Sequence, residues 1–290
     1  MTHAAQPPAA VQPRVPVARA ASPLTFRAMC TTVVVRSPSA DAIAKELLRL
    51  EALLTRFRDS SVTRLNAAGR LSDPPEELVA ALSWAVEAAR LTDGLVTPLV
   101  GRSLEWHGYR ESWSEGVAWR APEGEAPPVP EIEELRVSPQ EIVLPTGAAI
   151  DLGGTAKSWA VERVAERSRR RTSVDADLVI DAGGDVLIRS ATPTQVDILG
   201  AAEEWHIDLP PGEWAVATSS VARRAWNGAH HLIDPRTGRP AHGRWVQATV
   251  VGASLKLAEL ATKLLLLGAP VPPALLVEQV WVVDHDGVLR

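Results

Sequence analysis

A carboxylate, a glycine pair and a lysine lie close together at Asp151-Leu152-Gly153-Gly154-Thr155-Ala156-Lys157. The apolar, β-leaning Ala148-Ala149-Ile150 leads in, and a helical pattern runs from Lys157 to about Arg171. Backbone amides at such a turn and helix start can meet an anion, and glycines let a ligand approach with no Cβ in the way. That is the geometry of a nucleotide-phosphate site. Taken alone, the stretch reads first as an ordinary strand-to-helix turn whose glycines meet dihedral needs, with Asp151 capping the helix and Lys157 solvated. A second glycine pair flanked by carboxylates stands at Asp181-Ala182-Gly183-Gly184-Asp185. A third polar segment, His230-His231-Leu232-Ile233-Asp234-Pro235-Arg236-Thr237-Gly238, is dense in breakers. A neutral imidazole such as His231 can accept a proton near pH 7, and it serves equally as a hydrogen-bonded loop residue. Asp234 and Arg236 are spaced to pair within that loop.

The elements that must position these groups follow from periodicity. Leu24–Arg36, with Thr31-Thr32-Val33-Val34-Val35, reads as the first strand. Ile43, Leu47, Leu50 and Leu54 give a helix over Asp41–Phe57, and Leu78, Leu82, Val86 and Ala89 give another after Asp73. Between them, 58–66 reads as turn, and 95–101 reads as an extended loop held by Pro98. Residues 102–130 are irregular, with Trp106, Trp113 and Trp119 packing under a long surface segment. Short strands at 133–137 and 141–144 form a hairpin, and further strands fall at 176–188, 196–199, 206–209, 213–218 and 247–251. A helix over Ser254–Leu267 and a terminal hairpin at 279–289 complete the chain. Strands and helices mix without strict alternation, which predicts a single α+β domain over 24–290.

Composition excludes several classes. Lys+Arg 30 against Asp+Glu 35 gives a net charge of -5 and no broad basic field, which argues against nucleic acid as a partner. Cys30 is the single cysteine, so an internal disulfide and a cysteine-built metal site are excluded. Residues 1–23 lack the apolar run of a signal peptide and read as a disordered leader on a cytoplasmic protein. No apolar run reaches the length of a membrane span.

Six segments taken in order carry a resemblance. Arg64-Leu65-Asn66, Asp93-Gly94-Leu95-Val96-Thr97-Pro98-Leu99-Val100-Gly101, Asp151–Lys157, Ala182–Asp185, Ala217-Thr218-Ser219 and His231–Gly238 together resemble the ApbE-type flavin transferases, FAD:protein FMN transferases, from about Leu24 to the C-terminus. The resemblance implies Mg²⁺-dependent transfer of FMN from FAD to a threonine or serine hydroxyl of an acceptor flavoprotein, with release of AMP. It implies contacts to FAD from Met29, Phe57, Leu95, Val96, Thr97, Asp151, Lys157 and Ile233, with His231 as acid/base candidate. Arg224 matches a further arginine of the family. Thr97 stands where most relatives carry aspartate.

For the metal, the resemblance implies the carbonyl of Gly154 together with an aspartate and a threonine four residues apart on one helical face. Here Thr262 is present and Ala258 occupies the aspartate position. Glu259, next to it, lies three residues before Thr262 on the same face and has a longer reach. Two expectations follow: Glu259 replaces the aspartate as ligand, or it is a surface charge paired with Lys256 or Lys263 and metal binding is weakened or lost. The corresponding alternatives to transfer are FAD pyrophosphatase activity, with water in place of the hydroxyl, and a non-catalytic flavin-binding protein.

Overall fold

The computed structural model describes residues 22–113, 119–120, 123–170, 177–199 and 205–290. Its frame is one seven-stranded sheet: β1 (Leu24–Ala28), β2 (Thr31–Arg36), β3 (Leu178–Ala182), β4 (Val186–Ser190), β5 (Gly212–Ser220), β6 (Trp245–Gly252) and β7 (Val277–Asp284). Spatial order equals chain order and every neighbouring pair is antiparallel, so the sheet is a meander. The long excursion from Ser37 to Asp177 is inserted between the neighbours β2 and β3, whose register pairs Val33 with Ala182 and Val35 with Ile180.

Both faces of the sheet are covered, which explains why β3 is buried at every position. Leu178, Ile180 and Ala182 join the larger core under the helices. Val179 faces the opposite side with Ile188, Val216 and Val251, beneath a hairpin of Thr194–Ile198 and Trp205–Leu209. On the helical side lie α1 (Ala40–Leu54), α2 (Ser61–Ala68), α3 (Glu76–Leu91), α4 (Gly101–Trp106), α5 (Ala156–Arg169) and α6 (Leu255–Leu266). In α1 the apolar spacing turns Ile43, Leu47, Leu50 and Leu54 inward. No helix among the described residues is long and apolar enough to cross a membrane. The expected leader, 1–23, lies outside the described residues except for Ser22 and Pro23.

The α+β expectation holds, with local corrections. The single strand expected over 24–36 is two, separated by a turn at Met29 and Cys30 with φ of 53° and 57°. The turn expected at 58–66 contains α2, nucleated by a capping box in which Ser60 and Thr63 satisfy each other's backbone amides. The extended loop at 95–101 closes into a 3₁₀ turn, Pro98–Val100, and then α4, which also shortens the expected irregular segment. Trp113 and Trp119 do pack, around Tyr109 and Trp226. The strand expected over 133–137 keeps only Arg136–Val137, after a 3₁₀ turn at Ile132–Glu134; with Glu141–Val143 and Arg70–Ser72 it forms a small separate sheet.

Two close approaches hold the Asp151 segment. Asn66 clamps Ile150 from both sides, its amide donating to the Ile150 carbonyl (2.9 Å) and accepting from the Ile150 N–H (2.8 Å). The amide of Asp151 donates to the Pro98 carbonyl (2.8 Å) and that of Gly101 to Ala149 (3.0 Å). A Cβ on Gly101 would lie 2.5 Å from the Ala149 carbonyl oxygen, so only glycine allows these two segments to touch.

Candidate active site

One cavity, at the helical edge of the sheet, is lined by Met29, Phe57, Leu95, Val96, Thr97, Asp151, Gly154, Lys157, His231, Ile233 and Glu259. The fold thus brings together side chains expected at a site from segments more than 200 residues apart. Thr262 sits just behind the wall, fully buried, its hydroxyl 2.8 Å from that of Ser219, which does line the cavity.

The aromatic end is built around Arg56. Its guanidinium is ion-paired with Asp151, donates to the Tyr109 carbonyl (2.6 Å), and lies 4.5 Å and 4.8 Å from the ring centres of Phe57 and Tyr109. Phe57 and Tyr109 are tilted against each other with centroids 5.2 Å apart. A planar ligand can lie on such a wall, and the cation stacked on the rings stiffens it. Burial pushes the Tyr109 hydroxyl up to about 12, so it stays protonated. Asp151 does not cap α5; it is held by Arg56 and accepts from the Gly153 amide at 2.7 Å. The Thr97 hydroxyl accepts from the Leu99 amide at 3.3 Å, capping the 3₁₀ turn.

The polar end lies where α5, the turn between β3 and β4, and α6 meet. Lys157 is neither solvated nor free: its ammonium pairs with Asp185 (2.5 Å) and donates to the Ala182 carbonyl (3.2 Å). Burial, with a further push from Asp185, raises the Asp181 carboxyl, which the Gly184 amide and Lys157 hold down. Arg224 donates to the Cys30 carbonyl at 3.3 Å, tying the Met29-Cys30 turn to the site. Arg223 and Arg224 both line the cavity, and among the described residues neither has a carboxylate within ion-pair distance, although Asp181 and Asp185 attract Arg223 from further off.

His231 follows a hairpin, Ala225–Trp226 with Ala229–His230, that turns at Asn227-Gly228 with φ of 41° and 78°. Its Nδ1 is shielded and has no hydrogen-bond partner among the described residues. Burial, then the charges of Arg224 and Lys263 together with His230, push the imidazole well below its ordinary 6.5, so it is neutral at pH 7. Asp234 and Arg236 pair at 2.7 Å, and Arg236 reaches the Leu267 carbonyl (3.2 Å) rather than the cavity.

A divalent cation of the Mg²⁺ type needs several hard oxygen donors with free lone pairs. Ala258 offers none and is buried as a methyl group. Glu259, expected as a ligand, has both carboxylate oxygens engaged: one pairs with the Lys263 ammonium (3.0 Å) and the other accepts from the Ser158 hydroxyl (2.5 Å). Nor is it a surface charge, being 3% exposed, and Lys256 pairs instead with Glu162. The Thr262 hydroxyl is shared between Ser219 and the Glu259 carbonyl. Among the described residues no group of three acidic, histidine or cysteine side chains is placed to hold a metal. The residues present do not fit the metal.

Arg56, Tyr109 and Arg223 line the cavity outside the motifs of the sequence, and Lys263 enters there only as a partner for Glu259. Arg56 and Arg223 adjoin Phe57 and Arg224, which is the one local signal they carry.

The model of the ApbE family matches residues 26–281. A curated relative from Vibrio cholerae serotype O1, an FAD:protein FMN transferase, is 31% identical over 131 residues, 41% of this chain; the chain spans 39% of that protein's length. The ApbE protein of Thermotoga maritima superposes with a TM-score of 0.78 at 24% identity, covering 93% of this chain and 96% of that one. The flavin transferase ApbE of Vibrio cholerae gives 0.74 at 20% identity, over 96% of each chain. The apo flavinyl transferase ApbE of Pseudomonas stutzeri gives 0.75 at 19%, over 97% and 95%.

Proposed function

This chain belongs to the ApbE family, and from that premise we propose that it transfers the FMN part of FAD to a threonine or serine hydroxyl of an acceptor protein, releasing AMP. The observation that carries the reading is the two-ended cavity, with an aromatic wall at one end and cations without carboxylate partners at the other. The Phe57 and Tyr109 end suits a flavin or adenine ring, and Arg223 and Arg224 suit the pyrophosphate between them.

In the reaction the acceptor oxygen bonds to the phosphorus of the FMN half while the bridging P–O bond breaks, and AMP leaves with the bridging oxygen. The acceptor proton passes to His231, whose imidazole is neutral and lines the cavity. Arginines beside the phosphorus offset charge gathering on its oxygens, and catalysis rests on positioning and charge. The magnesium that the family resemblance implies enters no step of this scheme, since Ala258 offers no oxygen and the side-chain oxygens of Glu259 and Thr262 are engaged elsewhere. The single cysteine suits a reducing compartment, and we assign the protein to the cytoplasm on that ground.

The test incubates the full chain with FAD and a hydroxyl-bearing acceptor, then measures flavin fluorescence on the acceptor together with free FMN and AMP. Bound flavin equal to AMP supports transfer. Free FMN equal to AMP, with an unlabelled acceptor, replaces transfer by hydrolysis. Intact bound FAD reduces the protein to a flavin carrier. A His231→Ala protein that keeps the full transfer rate removes the imidazole from the scheme.

A further inference from the structure

Glu259 and Lys263 lie one turn apart on α6, and both line the cavity although their side chains are only 4% and 9% exposed. Burying an ion pair there is a poor way to stabilise a helix, because desolvating two charges costs about as much as their attraction returns. The pair therefore calls for another reason, and its surroundings supply one. The Lys263 chain runs over Gly154, its Cε 3.5 Å from where a Cβ on that glycine would lie. Glu259 is fixed from behind by the Ser158 hydroxyl, and Thr262 by Ser219. Gly154, position 258 and Thr262 are the places from which the family resemblance would hold a metal, and the charge found beside them is the Lys263 ammonium, tethered by Glu259.

We propose that the Lys263 ammonium takes the place of the divalent cation in this chain, so that FAD is bound, and its FMN transferred, without Mg²⁺. The ammonium has three N–H donors, and Glu259 occupies one of them at 3.0 Å. The others are available to the phosphate oxygens of FAD. Glu259 serves as a tether: it holds the ammonium at the wall, as a carboxylate ligand would hold a metal, while Ala258 leaves that position without a competing oxygen. One lysine carries less charge than a divalent ion, and Arg223 and Arg224, facing the same cavity without carboxylate partners among the described residues, make up the difference. The transfer half of this inference rests on the proposed function; the binding half does not.

The experiment separates the two. FAD affinity of the full-length protein is measured by flavin fluorescence in excess EDTA and again in Mg²⁺, and flavin transfer to the acceptor is measured in the same two buffers. Equal affinity in both is expected, and tightening by about tenfold or more in Mg²⁺, the worth of a strong charge-assisted contact, overturns the inference. Transfer in EDTA at the Mg²⁺ rate supports it, and transfer confined to Mg²⁺ overturns it. No transfer in either buffer, with FAD affinity indifferent to metal, removes the proposed function and leaves the cation replacement standing. The paired substitution Glu259→Gln/Lys263→Met removes both charges at similar volume, which avoids stranding a buried carboxylate. It is expected to weaken FAD binding in EDTA by about tenfold or more; unchanged affinity in that folded variant overturns the role of Lys263.

Discussion

Replacing Lys157 by methionine should destabilise the protein in the absence of any ligand. The substitution keeps most of the side-chain volume and removes the ammonium that pairs with Asp185 at 2.5 Å and donates to the Ala182 carbonyl at 3.2 Å. Asp185 is 1% exposed and its neighbour Asp181 is 5% exposed, so two carboxyls would share a buried corner. Removing one partner of a buried pair costs about 3–5 kcal/mol. At about 2.1 cal/mol/K per residue, that lowers the Tm of a 290-residue chain by about 5–8 °C. Calorimetry of Lys157→Met, Asp185→Asn and the double variant measures it, and the double variant should recover much of the loss because no charge is left stranded. The sign of the pH dependence is fixed as well. Burial and Asp185 already raise the Asp181 carboxyl above its ordinary 3.8, and loss of Lys157 raises it further. A carboxyl raised in the folded state contributes stability while both states are protonated, and that contribution fades as pH climbs from 3.8 through the folded value. Lys157→Met should therefore be closer to wild type at pH 5 than at pH 8. A loss under about 1 kcal/mol, the worth of a solvated surface pair, would refute the argument, as would a loss equal at both pH values.

Two further outcomes test the site and its frame. Because burial and then Arg224 hold His231 well below 6.5, the acid limb of the transfer rate should fall below pH 6.5, and Arg224→Gln should move that limb upward; a limb that stays put in the variant disproves the coupling. Gly183→Ala meets two obstacles, a φ of +70° and a Cβ placed 1.9 Å from the Thr31 Oγ1, whereas Gly147→Ala at φ +75° has nothing within 4 Å. Urea unfolding should show Gly147→Ala losing about 1–2 kcal/mol from the backbone alone and Gly183→Ala losing clearly more; equal losses would mean that Thr31 yields freely.

What the sequence made legible is what its short-range pattern encodes. The helices α1, α3, α5 and α6 follow apolar spacing, and the glycine pair at 183–184 stands between two strands as the pattern predicts. The eight-residue α2 escaped because its signal is the reciprocal capping by Ser60 and Thr63, which a glutamate at the second position would have announced more plainly. The turn at Met29-Cys30 escaped for a different reason. Neither residue favours positive φ, and the turn is held by Arg224, nearly two hundred residues on, through the Cys30 carbonyl. Non-local partners also decided the charges: Asp151 reads as a cap until Arg56 is brought beside it, and Lys157 reads as solvated until Asp185 is.

The Glu259–Lys263 pair is the instructive case, because its position was available in the sequence. Leu255, Ala258, Glu259, Thr262, Lys263 and Leu266 recur at the spacing of one helical stripe, and all six are buried. Two charges set into the apolar stripe of a helix cannot be a solvated pair: either the stripe faces water, which Leu255 and Leu266 forbid, or the charges face a polar cavity. Glu259 beside Thr262 alone resembles a metal pair; the whole stripe puts Lys263 on the same wall, one turn away, with its ammonium beside the carboxylate. The absence of an oxygen at Ala258 and the presence of a cation at Lys263 then form one substitution in physical terms, a fixed positive charge kept while its chemical identity changes.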